Sequence, residues 1–334
     1  MSVTIRDVAR HAGVSVATAS RALTGSRNVR PELAARVADA ARTLCYNHNA
    51  VARALRRGRT NTVGMVVPEI GNPFFPAIVE AVERRLEERG MDLILCDAQQ
   101  DIAIERRRVL TLVGRQVDGL IIVPVSATDS RAALLEAQRS IPIVQVDRFA
   151  DNLSADWVGV DDEVGIAQAV DHVASLGATR CVFVSAKPKT SSAQQRLTGF
   201  ETAVHRAGLD SPAPLLDEFS VDWGRRAALE LIARGERLPD AVICGNDVIA
   251  FGVLSEFRRH HVRVPEDVLV TGFDDIRFAE LADPPLTTVR QPRDRMATEC
   301  LRLLDIRIAD PDAATQRIAI SPTLVIREST GGHS

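Results

Sequence analysis

Apolar positions follow two different patterns along the chain, and the change of pattern divides it. In the first sixty residues they recur every three to four positions, as at Ile5, Val8, Ala9 and Ala12, which is typical of one face of an amphipathic helix. From Asn61 onwards, short apolar runs alternate with helical patterns. The sequence therefore predicts a small all-α domain followed by a larger α/β domain with parallel sheets.

The first region is predicted to contain three short helices. Residues 4–7 have the capping-box pattern, and Gly13 stands where the first helix would end in the left-handed conformation. Ser15 is a suitable N-cap for a second helix over Val16–Leu23. A third helix is expected to begin near Pro31. Two short helices joined by a turn with glycine indicate a helix-turn-helix unit.

The larger region reads as alternating strands and helices. Seven apolar runs have the length of buried strands: Val63–Val67, Leu93–Cys96, Gly119–Val123, Ile143–Val146, Cys181–Ser185, Ala241–Cys244 and Val268–Phe273. Six segments between them have helical patterns: 75–86, 164–176, 194–207, 224–233, 248–260 and 293–307. One sheet of this length is not expected, so we predict two similar lobes with a cleft between them. Ligands of open α/β sheets bind beyond the carboxyl ends of the strands.

Charge is distributed unevenly between the two regions. Residues 1–60 contain eleven arginines and three carboxylates, a net charge of +8, whereas the whole chain of 334 residues has a net charge of −3. The remaining residues therefore carry −11. A compact basic region beside an acidic body indicates a nucleic-acid-binding module attached to a regulatory or catalytic domain.

Composition excludes several other classes of protein. Hydrophobic residues make up 46% and charged residues 25% of the chain, which is ordinary for a globular protein. No stretch approaches the 18 or so apolar residues of a membrane span, and no secretory signal opens the sequence, so we expect a cytoplasmic protein without a membrane partner. The five cysteines lie far apart, without metal-binding spacing, so neither disulfides, a metal nor a cofactor is expected.

Three blocks of the first region carry a family resemblance. DVARHAGVSVATASRAL, NVRPELAARV and YNHNAVARAL closely resemble the DNA-binding head of the LacI/GalR family of bacterial transcription regulators, and the resemblance continues through the body. It implies a helix-turn-helix DNA-binding domain at residues 1–48, a hinge helix and linker at 49–60, and a periplasmic-binding-protein-like effector-binding and dimerisation domain at 61–334. The two lobes of that domain would be joined by crossovers near 161, 291 and 322.

The resemblance places the second helix in the major groove of double-stranded operator DNA. Small apolar side chains can contact a thymine methyl group, arginine can bind guanine with two hydrogen bonds, and hydroxyls suit phosphates. The DNA contacts expected from this helix are Ser15, Val16, Ala17, Thr18, Ser20 and Arg21. The alternatives are capping or solvation for Thr18 and Ser20, and a plain surface charge for Arg21.

The basic run that follows is too short to be a stable helix in water on its own. In the family such a hinge folds when two copies meet on operator DNA, and a leucine enters the minor groove, where an apolar wedge kinks the duplex. Leu55 is the matching residue here, with Ala52 on the same side. Asn49 and Arg56 complete the expected hinge contacts. The alternative is that Leu55 packs against the body.

Polar and aromatic residues follow the ends of the predicted strands, at positions that match the effector cleft of the family. Carboxylates and guanidinium groups bind neighbouring hydroxyls in pairs, and aromatic faces cover a sugar ring. The expected effector-binding residues are Asn72, Phe74, Phe75, Asp147, Arg148, Ser192, Arg196, Trp223, Asn246, Asp247 and Asp274. Asp274 and Arg196 are the expected main anchors, and Trp223 is placed in a loop. The alternatives are helix capping for Asp247, an internal ion pair for 147–148 and core packing for 74–75.

These features predict an allosteric transcriptional repressor of carbohydrate-utilisation genes. It would act as a homodimer, since no further leucine heptad follows the strand-like segment Thr323–Arg327. A sugar-like inducer would release it from a pseudo-palindromic operator. The Asn72-Pro-Phe-Phe75 and Asp147-Arg148 segments resemble a ribose-binding type of cleft, which favours a monosaccharide or a derivative. Thr190 stands where purine-responsive members have an arginine, which argues against a nucleobase corepressor.

Other classes of function make different demands on the sequence. The enzyme motifs GxSxG, GxxxxGK[ST] and HExxH are absent, so no catalytic residue is predicted. A transport-type sugar-binding protein would have a signal peptide and no basic head. A carbohydrate-active enzyme would need an acid/base pair in the cleft. A corepressor-dependent regulator of a non-sugar pathway is the remaining alternative.

Overall fold

The computed structural model describes residues 3–23, 29–46, 59–234 and 237–332. The chain divides into two compact units, Met1–Thr60 and Asn61–Ser334. No helix within the described ranges is both long enough and apolar enough to cross a membrane.

The first unit contains three helices: α1 (Ile5–Ala12), α2 (Val16–Leu23) and α3 (Pro31–Thr43). Their predicted caps are confirmed. The backbone N–H of Thr4 donates to Asp7 Oδ2 at 3.0 Å, Gly13 has φ +62°, and Ser15 Oγ accepts from the backbone N–H of Thr18 at 3.1 Å. A small core closes the unit: Val8, Ala9, Ala12, Ala19, Val37 and Ala40. The guanidinium of Arg36 on α3 donates to the Ala12 carbonyl at the end of α1.

The second unit alternates strands and helices. Its strands are β1 (Thr62–Val67), β2 (Asp92–Asp97), β3 (Gly119–Ile122), β4 (Ile143–Val146), β5 (Asp156–Val160), β6 (Cys181–Ala186), β7 (Leu215–Asp217), β8 (Ala241–Cys244), β9 (Leu269–Asp274), β10 (Thr287–Arg290), β11 (Arg317–Ile320) and β12 (Thr323–Val325). Its helices are α4 (Phe74–Glu87), α5 (Ile102–Gly114), α6 (Arg131–Gln138), α7 (Asp162–Ser175), α8 (Ser191–Ala207), α9 (Val221–Ala233), α10 (Asp247–Arg259) and α11 (Arg293–Ala309).

These strands form two six-stranded sheets. The order of the first is β11-β5-β4-β3-β1-β2, with every neighbouring pair parallel. The order of the second is β12-β10-β9-β8-β6-β7, and only the β10–β12 pair is antiparallel. The seven predicted strands are confirmed, and the strand-like segment Thr323–Arg327 contains β12. The prediction omitted β5, β7, β10 and β11, because these strands are short or carry Asp, Thr or Arg where an apolar run would stand.

The chain crosses between the two sheets three times. It leaves the first sheet after β5 at Asp161, leaves the second after β10 at Gln291, and crosses again between β11 and β12 near Pro322. Although α11 follows a strand of the second sheet, it packs against α4, β4 and β5 of the first. Each sheet with its flanking helices forms one lobe, and the two lobes belong to one compact unit. The carboxyl ends of strands from both lobes line the cleft between them.

Candidate DNA-binding surface and effector cleft

The first turn of α2 presents small apolar side chains to solvent. Val16 is 44% exposed and Ala17 is also exposed, whereas Ala19 is fully buried in the core of the first unit. Arg21 is exposed one turn further on, and its Nε donates to the Ala17 carbonyl at 3.2 Å. One face of α2 therefore anchors the helix while the other is available to a DNA groove.

The hydroxyl groups of Ser15 and Thr18 form hydrogen bonds at the N-terminus of α2. Ser15 Oγ and Thr18 Oγ1 lie 2.8 Å apart, so the capping alternative applies to Thr18. Ser20 is half-buried. The hinge residues expected to contact DNA lie outside the described residues: Asn49, Ala52, Leu55 and Arg56.

A small cavity lies between the lobes, at the carboxyl ends of the strands. Its lining residues are Asn72, Phe74, Phe75, Asp147, Arg148, Ser192, Arg196, Phe219, Asn246 and Asp274. Nine of these are among the eleven residues expected at the effector cleft, and Phe219 is the addition. The free volume is only about 10 Å³, roughly the room that one water molecule requires. We call this space the inner cavity.

Arg196 is held rigidly in the wall of the inner cavity. It lies on α8 and is 4% exposed. Its Nε donates to Asp162 Oδ1 at 2.7 Å, its Nη1 donates to the Gly245 carbonyl at 2.8 Å, and its guanidinium stacks 3.7 Å from the centre of the Phe273 ring. Asp274 Oδ1 lies 3.7 Å from Nη1. These contacts with the protein itself orient the guanidinium in the cavity wall.

Three buried carboxyl groups surround this guanidinium. Burial raises the pKa of Asp274 to about 7 and that of Asp162 to about 6, and Arg196 offsets part of each rise. Burial also raises the pKa of Asp147, and the neighbouring Arg148 offsets part of that rise. Each of these carboxyl groups is therefore harder to ionise than it would be in water.

Gln291 contacts a cavity residue, and the sequence indicated it only as a crossover. Its Nε2 donates to Asp274 Oδ1 at 2.8 Å, and its hydrogen bonding offsets a part of the rise that burial causes in the pKa of Asp147. Gln291 follows β10, a strand with two buried threonines that the hydrophobic pattern does not reveal. Recognising β10 would have placed this side chain at a strand end, where the other cleft residues lie.

Asp147 and Arg148 form a loose pair at the mouth of the inner cavity. Arg148 Nε lies 3.8 Å from Asp147 Oδ2, which is longer than a hydrogen bond. Within the described ranges, Nε of this buried guanidinium has no hydrogen-bond partner. The guanidinium instead lies over the rings of Phe75 and Phe219, 5.4 and 5.7 Å from their centres. The internal ion-pair alternative therefore describes Arg148 only in part.

Two asparagines are oriented by backbone hydrogen bonds. Asn72 Oδ1 accepts from the backbone N–H of Phe74, and Asn246 Oδ1 caps α10 by accepting from the backbone N–H of Ile249, each at 3.1 Å. Both bonds use the amide oxygen, so each amide nitrogen remains as a donor. Phe74 and Phe75 meet edge to face at 5.4 Å, and they line the cavity as well as packing in the core.

Trp223 does not line the inner cavity, and the prediction that it lies in a loop was wrong. It is on α9, because Ser220 Oγ caps that helix by accepting from the Trp223 backbone N–H at 3.0 Å. Its indole N–H donates to the Ser185 carbonyl at 2.9 Å, within the core of the second lobe. Phe219, just before the helix, supplies the aromatic face in the cavity instead.

Asp247 also lies away from the cavity. It is fully buried at the start of α10, where Oδ1 accepts from the Thr288 hydroxyl at 2.5 Å and Oδ2 accepts from the Ile276 backbone N–H at 2.9 Å. The N-cap of α10 is Asn246, so the capping alternative for Asp247 was wrong as well. Asp247 ties α10 to β10 and to the end of β9.

A wider cleft of about 800 Å³ opens outside the inner cavity and shares Arg148 and Phe219 with it. Two hydrogen bonds join the lobes across its lips. The Ala127 backbone N–H donates to the Lys189 carbonyl at 3.0 Å, and the Phe149 backbone N–H donates to Ser191 Oγ at 2.9 Å. The lobes are therefore closed over the inner cavity. No group of three potential metal ligands occurs in the part of the chain that the structure describes.

Known proteins resemble the chain over its whole length. Two family models match it: "Bacterial regulatory proteins, lacI family" over residues 4–49, and "Periplasmic binding protein-like domain" over residues 170–330. The ribose operon repressor of Escherichia coli (strain K12) is 33% identical over 269 residues, 80% of this chain and 81% of that protein. The HTH-type transcriptional repressor PurR of Mannheimia succiniciproducens is 35% identical over 328 residues, 98% of each chain.

Among solved structures, the Lac repressor dimer bound to operator and the anti-inducer ONPF matches 99% of both chains, with a TM-score of 0.89 and 26% identity. These relatives are transcriptional regulators and not enzymes. The identity and coverage of the sequence relatives establish common descent over both units. The chain therefore belongs to the lacI family of bacterial regulatory proteins.

Proposed function

We propose that this protein is a homodimeric repressor of carbohydrate-utilisation genes, which a monosaccharide of the pentose class releases from a pseudo-palindromic operator. The observation that carries the proposal is the convergence of Arg196 and Asp274 on one buried cavity between the lobes. A rigid guanidinium beside a carboxyl group can bind two neighbouring hydroxyls, one as donor and one as acceptor. The ribose operon repressor among the relatives supports this class of effector.

The rest of the cavity suits a small polyhydroxylated ring. Asn72 and Asn246 each provide an amide donor, and the rings of Phe74 and Phe75 provide apolar faces. A sugar carries hydroxyls around its edge and C–H groups on its faces, so it requires both kinds of surface. A purely apolar ligand would leave the buried carboxyl and guanidinium groups without partners, which is costly.

The relatives include a repressor named PurR, so a purine corepressor is the competing candidate. Thr190 argues against a purine corepressor, since purine-responsive members of the family have an arginine at the matching position. Here Thr190 Oγ1 caps α8 by accepting from the Ala193 backbone N–H at 3.2 Å, and the side chain does not line the inner cavity. A capping hydroxyl offers a purine neither the charge nor the reach of arginine.

Effector binding is coupled to opening of the lobes in this proposal. The inner cavity, at about 10 Å³, is too small for a sugar, so the two bonds across the cleft lips break before a ligand enters. An inducer releases DNA only by the difference between its affinities for the DNA-bound and DNA-free conformations. Coupling of about 1–3 kcal/mol is typical of allosteric proteins.

The second copy is proposed to bind an apolar patch on the second lobe. Leu281 is 74% exposed and Phe278 is 49% exposed, and with Phe251 and Leu254 they line a groove of about 270 Å³. Exposed apolar clusters of this kind mark interaction sites. This chain matches the Lac repressor, which was crystallised as a dimer, over 99% of both chains. A second copy of this chain is therefore the proposed occupant of the patch.

Thermal unfolding with candidate ligands tests the effector class. D-ribose is expected to raise the unfolding midpoint, because a ligand at 100 times its Kd adds about 2.7 kcal/mol to stability. Operator duplexes selected from a random pool should then dissociate in the presence of ribose. Hypoxanthine and guanine are tested in the same two assays as candidate purine corepressors.

Two variants control this experiment. Asp274→Ala is expected to bind operator and ignore ribose, whereas Asp267→Ala, on the surface beside Arg263, should respond as the native protein does. A purine that tightens operator binding would overturn the proposal in favour of a corepressor. Stabilisation by ribose without release of DNA would contradict the inducer role.

A further inference from the structure

The segment after β4 has a strained backbone at the effector cavity. The Arg148 backbone N–H donates to the Val146 carbonyl at 2.7 Å, which closes a three-residue turn around Asp147, and Asp147 has φ +64°. A γ-turn with a positive φ at its central residue is rare and unfavourable for a residue with a side chain. This turn directs two consecutive side chains, Asp147 and Arg148, to the inner cavity.

The neighbouring strand β5 holds this turn in place from behind. The Asp147 backbone N–H donates to the Val158 carbonyl at 2.9 Å, and the Asp147 carbonyl accepts from the indole N–H of Trp157 at 3.3 Å. Trp157 is buried, and its ring lies over Gly159, where a Cβ atom would be only 2.3 Å from the indole. Both backbone polar groups of Asp147 are therefore engaged by β5.

An aromatic stack extends from Trp157 to the cleft lip. The rings of Phe149 and Trp157 meet edge to face at 5.4 Å, and the Arg317 guanidinium on β11 covers both, 4.0 and 4.9 Å from their centres. The backbone N–H of Phe149 makes the bond to Ser191 Oγ in the other lobe. The indole thus supports a segment, 147–149, that carries two cavity side chains and one bond across the cleft.

We propose that Trp157 is a positioning residue for effector recognition. It holds segment 147–149 in the geometry that presents Asp147 and Arg148 to the effector and Phe149 to the opposite lobe. The inference rests on the proposed effector role of the inner cavity. Trp157 does not line that cavity, so its influence on a ligand passes through the backbone of the turn.

The second tryptophan of the chain provides a matched control. Trp223 is also buried, and its indole N–H also donates to a backbone carbonyl, that of Ser185. Trp157→Phe and Trp223→Phe therefore remove the same hydrogen bond and the same ring volume at two places. Only the first place supports the turn at Asp147.

The first measurement needs no ligand. Hydrogen exchange followed by mass spectrometry should show the peptide over residues 146–150 exchanging at least about tenfold faster in Trp157→Phe, the order expected for the loss of one buried hydrogen bond. The native protein and Trp223→Phe should exchange alike there. Unchanged exchange in Trp157→Phe would overturn the positioning role.

The second measurement is calorimetric titration with D-ribose. Trp157→Phe is expected to bind ribose about tenfold more weakly, with unchanged affinity for operator in the absence of sugar. Faster exchange with undiminished ribose affinity would also overturn the inference. If the native protein fails to bind ribose, the pentose proposal fails, and the exchange measurement alone decides whether Trp157 holds the turn.

Discussion

At the scale of single residues, the inner cavity is surrounded by buried groups that reduce stability. Asp147, Asp162 and Asp274 are buried carboxyl groups whose pKa values are raised by that burial. A group whose pKa is raised on folding binds its proton more tightly in the folded state, so its ionisation opposes folding. Functional sites often contain residues that are not the most stable choice for the fold. Three buried carboxyl groups around one guanidinium are consistent with a site where a ligand completes their hydrogen bonding.

The pH dependence of Asp274→Asn tests this cost. The pKa of Asp274 is about 7 in the folded protein against an ordinary value of 3.8, so its unfavourable contribution to the free energy of unfolding develops as pH rises from about 4 to 7. The neutral asparagine lacks this loss. The free energy of unfolding of Asp274→Asn minus that of the native protein should therefore be larger at pH 8 than at pH 5, as measured by chemical denaturation.

Asp267→Asn is the matched control with the opposite sign. Hydrogen bonds from Arg263 lower the pKa of Asp267 to about 2, so its favourable contribution is complete above about pH 4 and is lost only as pH falls towards 2. The effect of Asp267→Asn should be the same at pH 5 and pH 8. An equally pH-independent effect of Asp274→Asn would contradict the raised pKa of Asp274.

At the scale of secondary-structure elements, helix caps place the functional side chains. Thr190, Ser220 and Asn246 each accept a hydrogen bond from the backbone N–H three residues further on, which determines where α8, α9 and α10 begin. The start of α8 determines that Arg196 lies in its second turn, at the cavity. The start of α9 determines that Trp223 is helical and that Phe219 precedes the helix.

The orientation of α2 leads to a prediction about DNA recognition. Val16→Tyr should change the preferred operator sequence, measured by selection from random duplexes, because the exposed first turn of α2 is proposed to read base edges. Stability should change by no more than about 0.5 kcal/mol, as for most surface substitutions. Ala19→Tyr, on the buried face of the same helix, should instead unfold the first unit. An unaltered operator preference in Val16→Tyr would rule out this placement of α2 on the DNA.

At the scale of the whole molecule, two sheets joined by three crossovers place residues distant in the chain around one cleft. Asn72, Asp147 and Asp274 are separated by many elements and yet line one cavity, because the carboxyl ends of strands from both lobes meet there. The three crossovers also limit how the lobes move, since each connects the two sheets directly. The connections thus favour opening and closing of the lobes around the inner cavity.

The proposed dimer leads to a prediction at this scale. Leu281→Asp should convert the protein to a monomer at micromolar concentration in sedimentation measurements, because burying a charge in an apolar interface is unfavourable. Leu176→Asp is the control, since Leu176 is 51% exposed at the end of α7, outside the patch. A Leu281→Asp protein that sediments like the native one would place the dimer interface elsewhere.

The local features of this protein follow from its sequence alone. The caps at Thr4, Gly13 and Ser15, the seven apolar strands and the basic first region were all predictable, because each depends on neighbouring residues or on a simple count. Nine residues of the inner cavity were also predictable, since the family resemblance supplied their positions. The polar strands were not, because buried threonines such as Thr287 and Thr288 become compatible with a sheet only through tertiary hydrogen bonds.

Tertiary structure alone decided which side chains line the inner cavity and which support it. Phe219 lines the cavity in place of Trp223, because the start of α9 puts Trp223 on the helix, where it packs in the core of the second lobe. The contact of Trp157 also depends on tertiary structure. Its indole reaches the Asp147 carbonyl, ten residues away in sequence, only because β4 and β5 are neighbours in the sheet. Periodicity and capping are local and are written in the sequence, whereas the meeting of distant side chains depends on how the sheets and helices pack.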